Sequence, residues 1–210
     1  ETDSKDKRQF YISGSEFNRN YGDKSHCIWI NVLSFDDDYT FECESCRFFD
    51  NNGHYEYNSE GGACCVSNCK RAVFTECIFS AQKTRESCGG INITAKSILE
   101  VQNCQFNRCI TGSNKESYGG GICYSLHSSD ELDRSRDEDI SITDCAFEEN
   151  EGYNGVSLFL NVTTLNIHIS NIEILNHLTS DHIFCINFNE KITNDILIMN
   201  NISFIGNSHN

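Results

Sequence analysis

Three features of this 210-residue sequence predict an all-β fold, a single-stranded right-handed parallel β-helix of about seven coils. The first is an eight-residue phrase with apolar residues at alternate positions, then a polar residue, then Cys or an apolar substitute, and an aromatic or apolar residue two places on. The second is its recurrence at a nearly fixed step. The third is composition: proline is absent, although average usage predicts about ten in a chain of this length. Asn and Ser crowd the spaces between short apolar runs instead, so the chain turns on Asn, Asp and Gly.

The clearest phrase is Ile140 to Phe147, ISITDCAF. Leu99 to Phe106 and Ala72 to Phe79 match it position for position, and Phe41 to Phe48 reads FECESCRF. Phe10 to Phe17, Ile167 to Ile174 and Leu197 to Phe204 are weaker copies, with Ser15, Ile172 and Ile202 at the Cys position. Those positions, 15, 46, 77, 104, 145, 172 and 202, are spaced by 31, 31, 27, 41, 27 and 30 residues. A step of 27–31 residues carrying period-two runs and no helical period suits a coil of short strands. Seven coils at the strand spacing make a rod of roughly 30–35 Å. The long step contains an acidic insertion over 125–139, whose core SSDELDRSRDED reads as a solvated loop.

Stacking turns each repeat position into a ladder. Alternation places Phe41, Cys43, Cys46 and Phe48 inside, so Cys46, Cys77, Cys104 and Cys145 form one interior row and Phe48, Phe79, Phe106 and Phe147 another. The polar residue before the Cys (Ser45, Glu76, Asn103, Asp144, Asn171, Asn201) is expected at a left-handed bend. Three residues past the aromatic come Asn20, Asn51, Gln82, Cys109, Asn150, His177 and Asn207, expected to stack their amides. A second phrase follows: Gly61-Gly62-Ala63, Gly89-Gly90-Ile91, Gly120-Gly121-Ile122 and Asn154-Gly155-Val156, with weaker forms at His26-Cys27 and His182-Ile183. Its glycines are expected to turn the backbone with positive φ.

The thirteen cysteines admit three readings. In-register strands aim their Cβ vectors the same way, so the Cys46 row is expected to be buried free thiols. Zinc at Cys43-x-x-Cys46, or at Cys65 with Cys69, is disfavoured because the first pair sits at interior positions with no second pair nearby. Cys64, Cys69, Cys88, Cys109 and Cys123 are expected at outward or loop positions, where disulfides form in an oxidising compartment. No cofactor is indicated. Asp36-Asp37-Asp38 is a lone acidic turn, too few oxygens for Ca²⁺.

Sixteen Lys and Arg against 31 Asp and Glu give a formal charge of −15, which repels phosphate backbones and makes nucleic acid an unsuitable partner. No window reaches the length of apolar sequence that spans a membrane. The whole chain reads as one β-helix segment. Neither end shows a polar cap, which predicts a longer parent chain or end-to-end self-association.

The Gly-Gly-Ala and Gly-Gly-Ile phrases, with Phe17-x-x-Asn20, Phe48-x-x-Asn51, Phe147-x-x-Asn150 and Phe204-x-x-Asn207, resemble the repeats of the chlamydial polymorphic outer membrane proteins and of similar surface proteins in some protists. That resemblance implies a surface protein acting in adhesion, located extracellularly or on the cell surface, whose partner is a protein or glycan. The last two coils depart from the pattern, losing both Gly-Gly and Cys, and the autotransporter barrel of the bacterial members is not in this sequence.

Sequons at Asn92, Asn161 and Asn201 fit a glycoprotein; Asn92, between inward Ile91 and Ile93, is expected to point outward, and Asn201 to belong to the bend row. The alternative to an adhesin is a polysaccharide-active enzyme of the pectin-lyase-like fold. Its best constellation is Glu42, Glu44 and Glu100 on the outward first strand. Glu42 and Glu100 lie two coils apart, roughly 9–10 Å along the axis, near the upper end of the range for inverting glycosidases. No Arg or Lys is expected on that face, so the sequence favours a non-catalytic interaction scaffold, with a structural filament segment as a further alternative.

Overall fold

The computed structural model describes residues 8–22, 27–32, 39–53, 62–84, 88–94, 97–112, 117–125, 139–152, 154–162, 166–177, 182–188 and 196–206. Among them every regular element is a strand and every pairing is parallel, so the chain is a β-solenoid. One side of each coil is β1 (Arg8–Ser13), β5 (Tyr39–Glu44), β9 (Arg71–Thr75), β12 (Ile98–Gln102), and the first halves of β15 (Asp139–Glu148), β17 (Asn166–Leu175) and β19 (Ile196–Ile205). Past a bend, β2 (Glu16–Asn18), β6 (Arg47–Phe49), β10 (Ile78–Ser80) and β13 (Gln105–Asn107) form the next side with the second halves of the same three long strands. A narrow third side joins β3 (Tyr21–Gly22) to β7 (Asn52–Gly53) and continues as single bridges at Lys83, Ile110 and Glu151. The far sheet is β4 (Ile28–Asn31), β8 (Cys64–Ser67), β11 (Ile91–Ile93), β14 (Ile122–Ser125), β16 (Leu158–Val162) and β18 (Phe184–Phe188).

Five coils pair on every side. The sixth, through β17 and β18, pairs on the two long sheets, and the seventh repeat contributes β19 alone. The solenoid therefore completes about five turns, slightly fewer than seven repeat copies suggest. The acidic insertion leaves the register undisturbed: β14 pairs with β11 and β15 with β12 on either side of it. Residues 126–138 of that insertion, and Asp36 to Asp38, lie outside the described residues.

The interior follows from period two. Phe41, Cys43, Cys46 and Phe48 are all buried. Phe17, Phe48, Phe79, Phe106 and Phe147 stack along the axis with ring centroids 4.9, 4.8, 5.0 and 4.9 Å apart and ring planes within 9° of parallel. Each fully buried ring contributes about 1.5–3 kcal/mol of transfer free energy. Each thiol in the neighbouring row donates weakly to two carbonyls, one two residues back and one in the preceding coil, as Cys104 does to Gln102 and Phe74. Cys77 and Cys145 do the same. The small S–H donor fits where Ile172 and Ile202 merely fill space.

The bend residues adopt the left-handed conformation, from Gly14 (φ 57°) and Ser45 (51°) to Asn171 (54°) and Asn201 (49°). A second left-handed row, Arg19, Asp50, Ala81, Arg108, Glu149, Asn176 and Gly206, ends the next side. It carries no common residue type, so the sequence does not announce it.

Two expectations about motif chemistry are corrected. At the Phe-x-x-Asn position amide stacks on amide where Asn20 donates to Asn51 (2.9 Å), but this is not the row's main contact. The side chain at this position reaches back and caps the carbonyl of the preceding coil's aromatic: Asn51 to Phe17 (3.2 Å), Gln82 to Phe48 (2.8 Å), the Cys109 thiol to Phe79 (3.6 Å), Asn150 to Phe106 (3.1 Å) and His177 to Phe147 (3.1 Å). Asn51 and Asn150 also accept the backbone N–H of the preceding rung residue, Asn20 and Cys109. A short polar ladder stands at the first bend of the last three coils, where Asn201 donates to Asn171 (2.7 Å) and Asn171 to the Asp144 carboxylate (2.8 Å).

The Gly-Gly phrase likewise serves close approach rather than positive φ. Gly62, Gly89, Gly90, Gly120 and Gly121 are not among the residues with positive φ. A Cβ on Gly121 would lie 2.6 Å from the Ser157 carbonyl oxygen and 2.8 Å from the Phe147 ring. The left-handed residue comes one place earlier, at Cys88, Gly119 and Gly155. Register also slides two copies of the phrase: Gly62-Ala63 and Val156-Ser157 align with Gly89-Gly90 and Gly120-Gly121, as their backbone hydrogen bonds show. Gly61, His26 and Asn207 lie outside the described residues.

Candidate functional site

The outward face of the first sheet holds the charged constellation. Strand alternation turns Glu42 of β5, Arg71 and Val73 of β9 and Glu100 of β12 to the same side, with Glu42 and Glu100 both in register with Val73. Arg71 grips Glu100 with two parallel bonds, Nε to Oε1 at 2.9 Å and Nη2 to Oε2 at 2.6 Å. Its Nη1 lies 3.6 Å from Glu42 Oε1. The expectation that no Arg or Lys shares this face is thus overturned, and the missed residue lies two places before Val73 in the same alternation. The bidentate geometry matches guanidinium to carboxylate, and the hydrogen bonds that Arg71 donates to Glu100 raise the Arg71 pKa further. Glu44 lies in the adjacent outward row, where it accepts a hydrogen bond from the Tyr11 hydroxyl. That bond pushes the Tyr11 pKa up.

Beside this cluster the outward residues of β12 and β15, Ile98, Glu100 and Gln102 with Asp139, Ser141 and Thr143, line an open depression of about 220 Å³. It presents two carboxylates, two hydroxyls and an amide in two adjacent rungs, a surface suited to polyhydroxylated or amide-bearing ligands. Glu42, Glu44 and Glu100 therefore share one face, with two of the three carboxylates held by one arginine.

The far sheet carries a second outward row, Trp29, Cys65, Asn92, Cys123, Phe159 and Cys185. Trp29 is 56 % exposed, whereas Cys65, Asn92, Cys123 and Phe159 are each at or below 5 %. Cys88 crosses over this row and forms a disulfide with Cys123, with Cα atoms 5.6 Å apart. Cys88, Cys123 and Phe159 pack together with Tyr118 and Cys185 as a small apolar cluster outside the solenoid wall. The pairing is illegible in the sequence because the two cysteines occupy different repeat positions, a left-handed corner and an outward strand site.

Four related expectations change. Cys64, Cys69 and Cys109 are interior rather than outward, and wholly buried. Burial pushes the Cys64 thiol up and the Cys109 thiol up to about 12. Cys64 lies in the inward row between Ile28 and Ile91, and Cys109 occupies the carbonyl-capping position. Asn92 faces outward in register but is only 3 % exposed. Asn161 remains outward and half-buried, and Asn201 is exposed at its bend with its amide donated to Asn171. Among the described residues no three His, Cys, Asp or Glu side chains are placed to hold a metal ion, and no helix is long and apolar enough to cross a membrane.

No protein-family model matches the chain, and no curated protein or solved structure matches it.

Proposed function

We propose that this chain is a non-catalytic interaction scaffold, an adhesin in kind, working outside the cell or on its surface and recognising a protein or a glycan. The observation that carries the reading is the outward face of the first sheet. There the carboxylates best placed for chemistry are tied to Arg71, and they form part of a regular polar relief that continues through Thr75, Ser141, Thr143 and His168. A β-solenoid holds such side chains on rungs at fixed spacing, which is what a large, flat recognition surface requires. The Cys88–Cys123 disulfide supports an oxidising compartment, and the sequon at half-exposed Asn161 suits a secreted glycoprotein. The repeat phrases supply the resemblance to surface proteins.

The depression beside Glu100 favours one second reading, a polysaccharide-active enzyme using Glu42 or Glu100. Incubating the chain with cells and with immobilised glycans and matrix proteins separates the two. The adhesin reading expects saturable binding that survives Glu42→Gln and Glu100→Gln, with no shortened polysaccharide. Polysaccharide cleavage abolished by either substitution would replace it with the enzyme.

A further inference from the structure

We propose that the depression between β12 and β15 binds one uncharged sugar ring of a glycan and rejects acidic sugars, an assignment that rests on the interaction-scaffold reading. Both strands are also paired on their other edges, β12 with β9 and β15 with β17, so the depression lies within the continuous stack of rungs. At about 220 Å³ it is smaller than the roughly 300–1,000 Å³ of clefts that enclose whole small molecules. It therefore suits one unit of a larger ligand. Register pairs Ile98 with Asp139, Glu100 with Ser141 and Gln102 with Thr143. These outward groups stand on a grid of about 4.8 Å between rungs and roughly 6.6 Å along each strand, the scale of the edges of a pyranose ring.

The groups on that grid decide the chemistry. Asp139 is exposed, and its carboxylate, the Ser141 and Thr143 hydroxyls and the Gln102 amide make no hydrogen bond or ion pair with another side chain among the described residues. Together they supply carboxylate and hydroxyl oxygens to accept from sugar O–H groups, and amide and hydroxyl hydrogens to donate to sugar oxygens. Half-buried Ile98 adds an apolar contact for the C–H groups of the ring. An acidic sugar meets the opposite conditions. Along the three outward rows of this sheet Arg71 is the only Lys or Arg among the described residues, and its guanidinium is taken up by Glu100 and Glu42. A uronate carboxylate would stand beside Asp139 and Glu100 without an unpaired cation in those rows, on a chain of formal charge −15. A lone ammonium fits less well than a sugar: it engages Asp139 but leaves the amide hydrogens of Gln102 unmatched, and Glu100 already has its counterion.

The test titrates the full 210-residue chain by isothermal calorimetry and ligand-observed NMR. The neutral probes are cellopentaose, maltopentaose, mannopentaose and the pentamer of N-acetylglucosamine; pentagalacturonate and pentalysine are the charged ones. At least one neutral oligomer is expected to bind about tenfold or more tightly than either charged probe. Asp139→Ala is expected to weaken that binding about tenfold or more, since hydrogen bonds to a charged acceptor are the strong ones, and Ser141→Ala or Thr143→Ala about two- to tenfold. Asp139→Lys is expected to admit pentagalacturonate while losing the neutral oligomer. Glu173→Gln, exposed on the next side of the coil, is expected to change nothing, and circular dichroism confirms the fold of each variant. The proposal is overturned if no neutral oligomer binds, if binding is unchanged by Asp139→Ala and Ser141→Ala, or if either charged probe binds more tightly than all four neutral ones. The two readings fail separately. A chain that binds cells or matrix proteins but no oligomer keeps the scaffold reading and loses the sugar ring. A neutral oligomer that binds as described and is also shortened keeps the sugar ring and loses the scaffold reading.

Discussion

Replacing Asn150 by Leu isolates the contribution of the carbonyl-capping row. Asn150 is wholly buried. Its amide nitrogen donates to the Phe106 carbonyl at 3.1 Å and its oxygen accepts the Cys109 N–H at 2.8 Å. Leu is close in shape and leaves the Cys109 N–H without its acceptor in the solenoid interior, where an orphaned group costs about 1–3 kcal/mol, while the Phe106 carbonyl keeps its place in the β13–β15 ladder. The expected loss is about 1–3 kcal/mol, a sizeable part of a typical domain's stability of about 5–15 kcal/mol. Asn150→Gln is expected to lose less, since Gln82 makes the same carbonyl contact one side chain longer. Asn150→Asp keeps the acceptor but sets a carboxylate against the Phe106 oxygen. Burial raises its folded pKa above the unfolded value of about 3.9, so this variant should regain stability as the pH falls toward 4. Urea unfolding followed by circular dichroism measures all three. An Asn150→Leu loss under about 0.5 kcal/mol, or one no larger than that of Asn20→Leu at the exposed start of the row, would refute the capping account.

Four further outcomes follow from the same geometry. Gly121→Ala must displace the Ser157 carbonyl or the Phe147 ring and is expected to cost at least about 1–3 kcal/mol, by thermal or urea unfolding; Gly14→Ala has open space but a left-handed φ of 57°, and should cost about 1–2 kcal/mol through backbone conformation alone. Reducing Cys88–Cys123, which are 35 residues apart, should lower stability by about 3–4 kcal/mol in the chain-entropy account, with alkylation mass spectrometry showing both thiols labelled only after reduction. His177 is buried beside the Phe147 carbonyl, and burial pushes its pKa below the ordinary value. Below about pH 6.5 the unfolded chain takes up a proton that the folded chain resists, so stability should fall from there down to the folded pKa, and His177→Asn should flatten this part of the urea-unfolding profile. Arg71→Ala frees Glu42 and Glu100 on a half-exposed surface and should change stability by about 1 kcal/mol or less.

Much of the interior was legible because the solenoid repeats it. A residue such as Phe106 is bounded by equivalent residues above and below, Phe79 and Phe147, so one alternating phrase specifies a whole row and its burial. The first left-handed row was legible for the same reason joined to chemistry, since Asn and Asp gather where φ is positive. The second row was not, because Arg19, Ala81 and Glu149 share no preference for that conformation; stacking imposes it by carrying each bend into register with the next. Gly-Gly misled for a physical reason too. Glycine serves both positive φ and close approach, and only the coil-to-coil contacts show that Gly90 and Gly121 answer to the second.

The outer features escaped sequence reading because they depend on where loops return, not on the repeat. Cys123 occupies a strand row that period two assigns to solvent, yet it packs with Cys88, Phe159, Tyr118 and Cys185 outside the wall, and Asn92 of the same row is buried too. Burial outside the wall therefore needs a local cause in each coil, and the disulfide fixes the segment that supplies it. The ion-pair cluster stands between these cases. Glu42 and Glu100 are outward by alternation, and the same alternation makes Arg71 outward, but only its length and the rung spacing let one guanidinium reach carboxylates on both flanking coils. A face whose charges pair across coils couples its outward rows to the stacking of the rungs beneath. Any ligand that draws Glu100 away from Arg71 would then also loosen a link between the second, third and fourth coils, so binding at the adjacent depression should raise hydrogen exchange in β9 and β12 while leaving β17 and β19 unchanged. Uniform exchange along the rod on ligand binding would show that Arg71 is a passive surface pair.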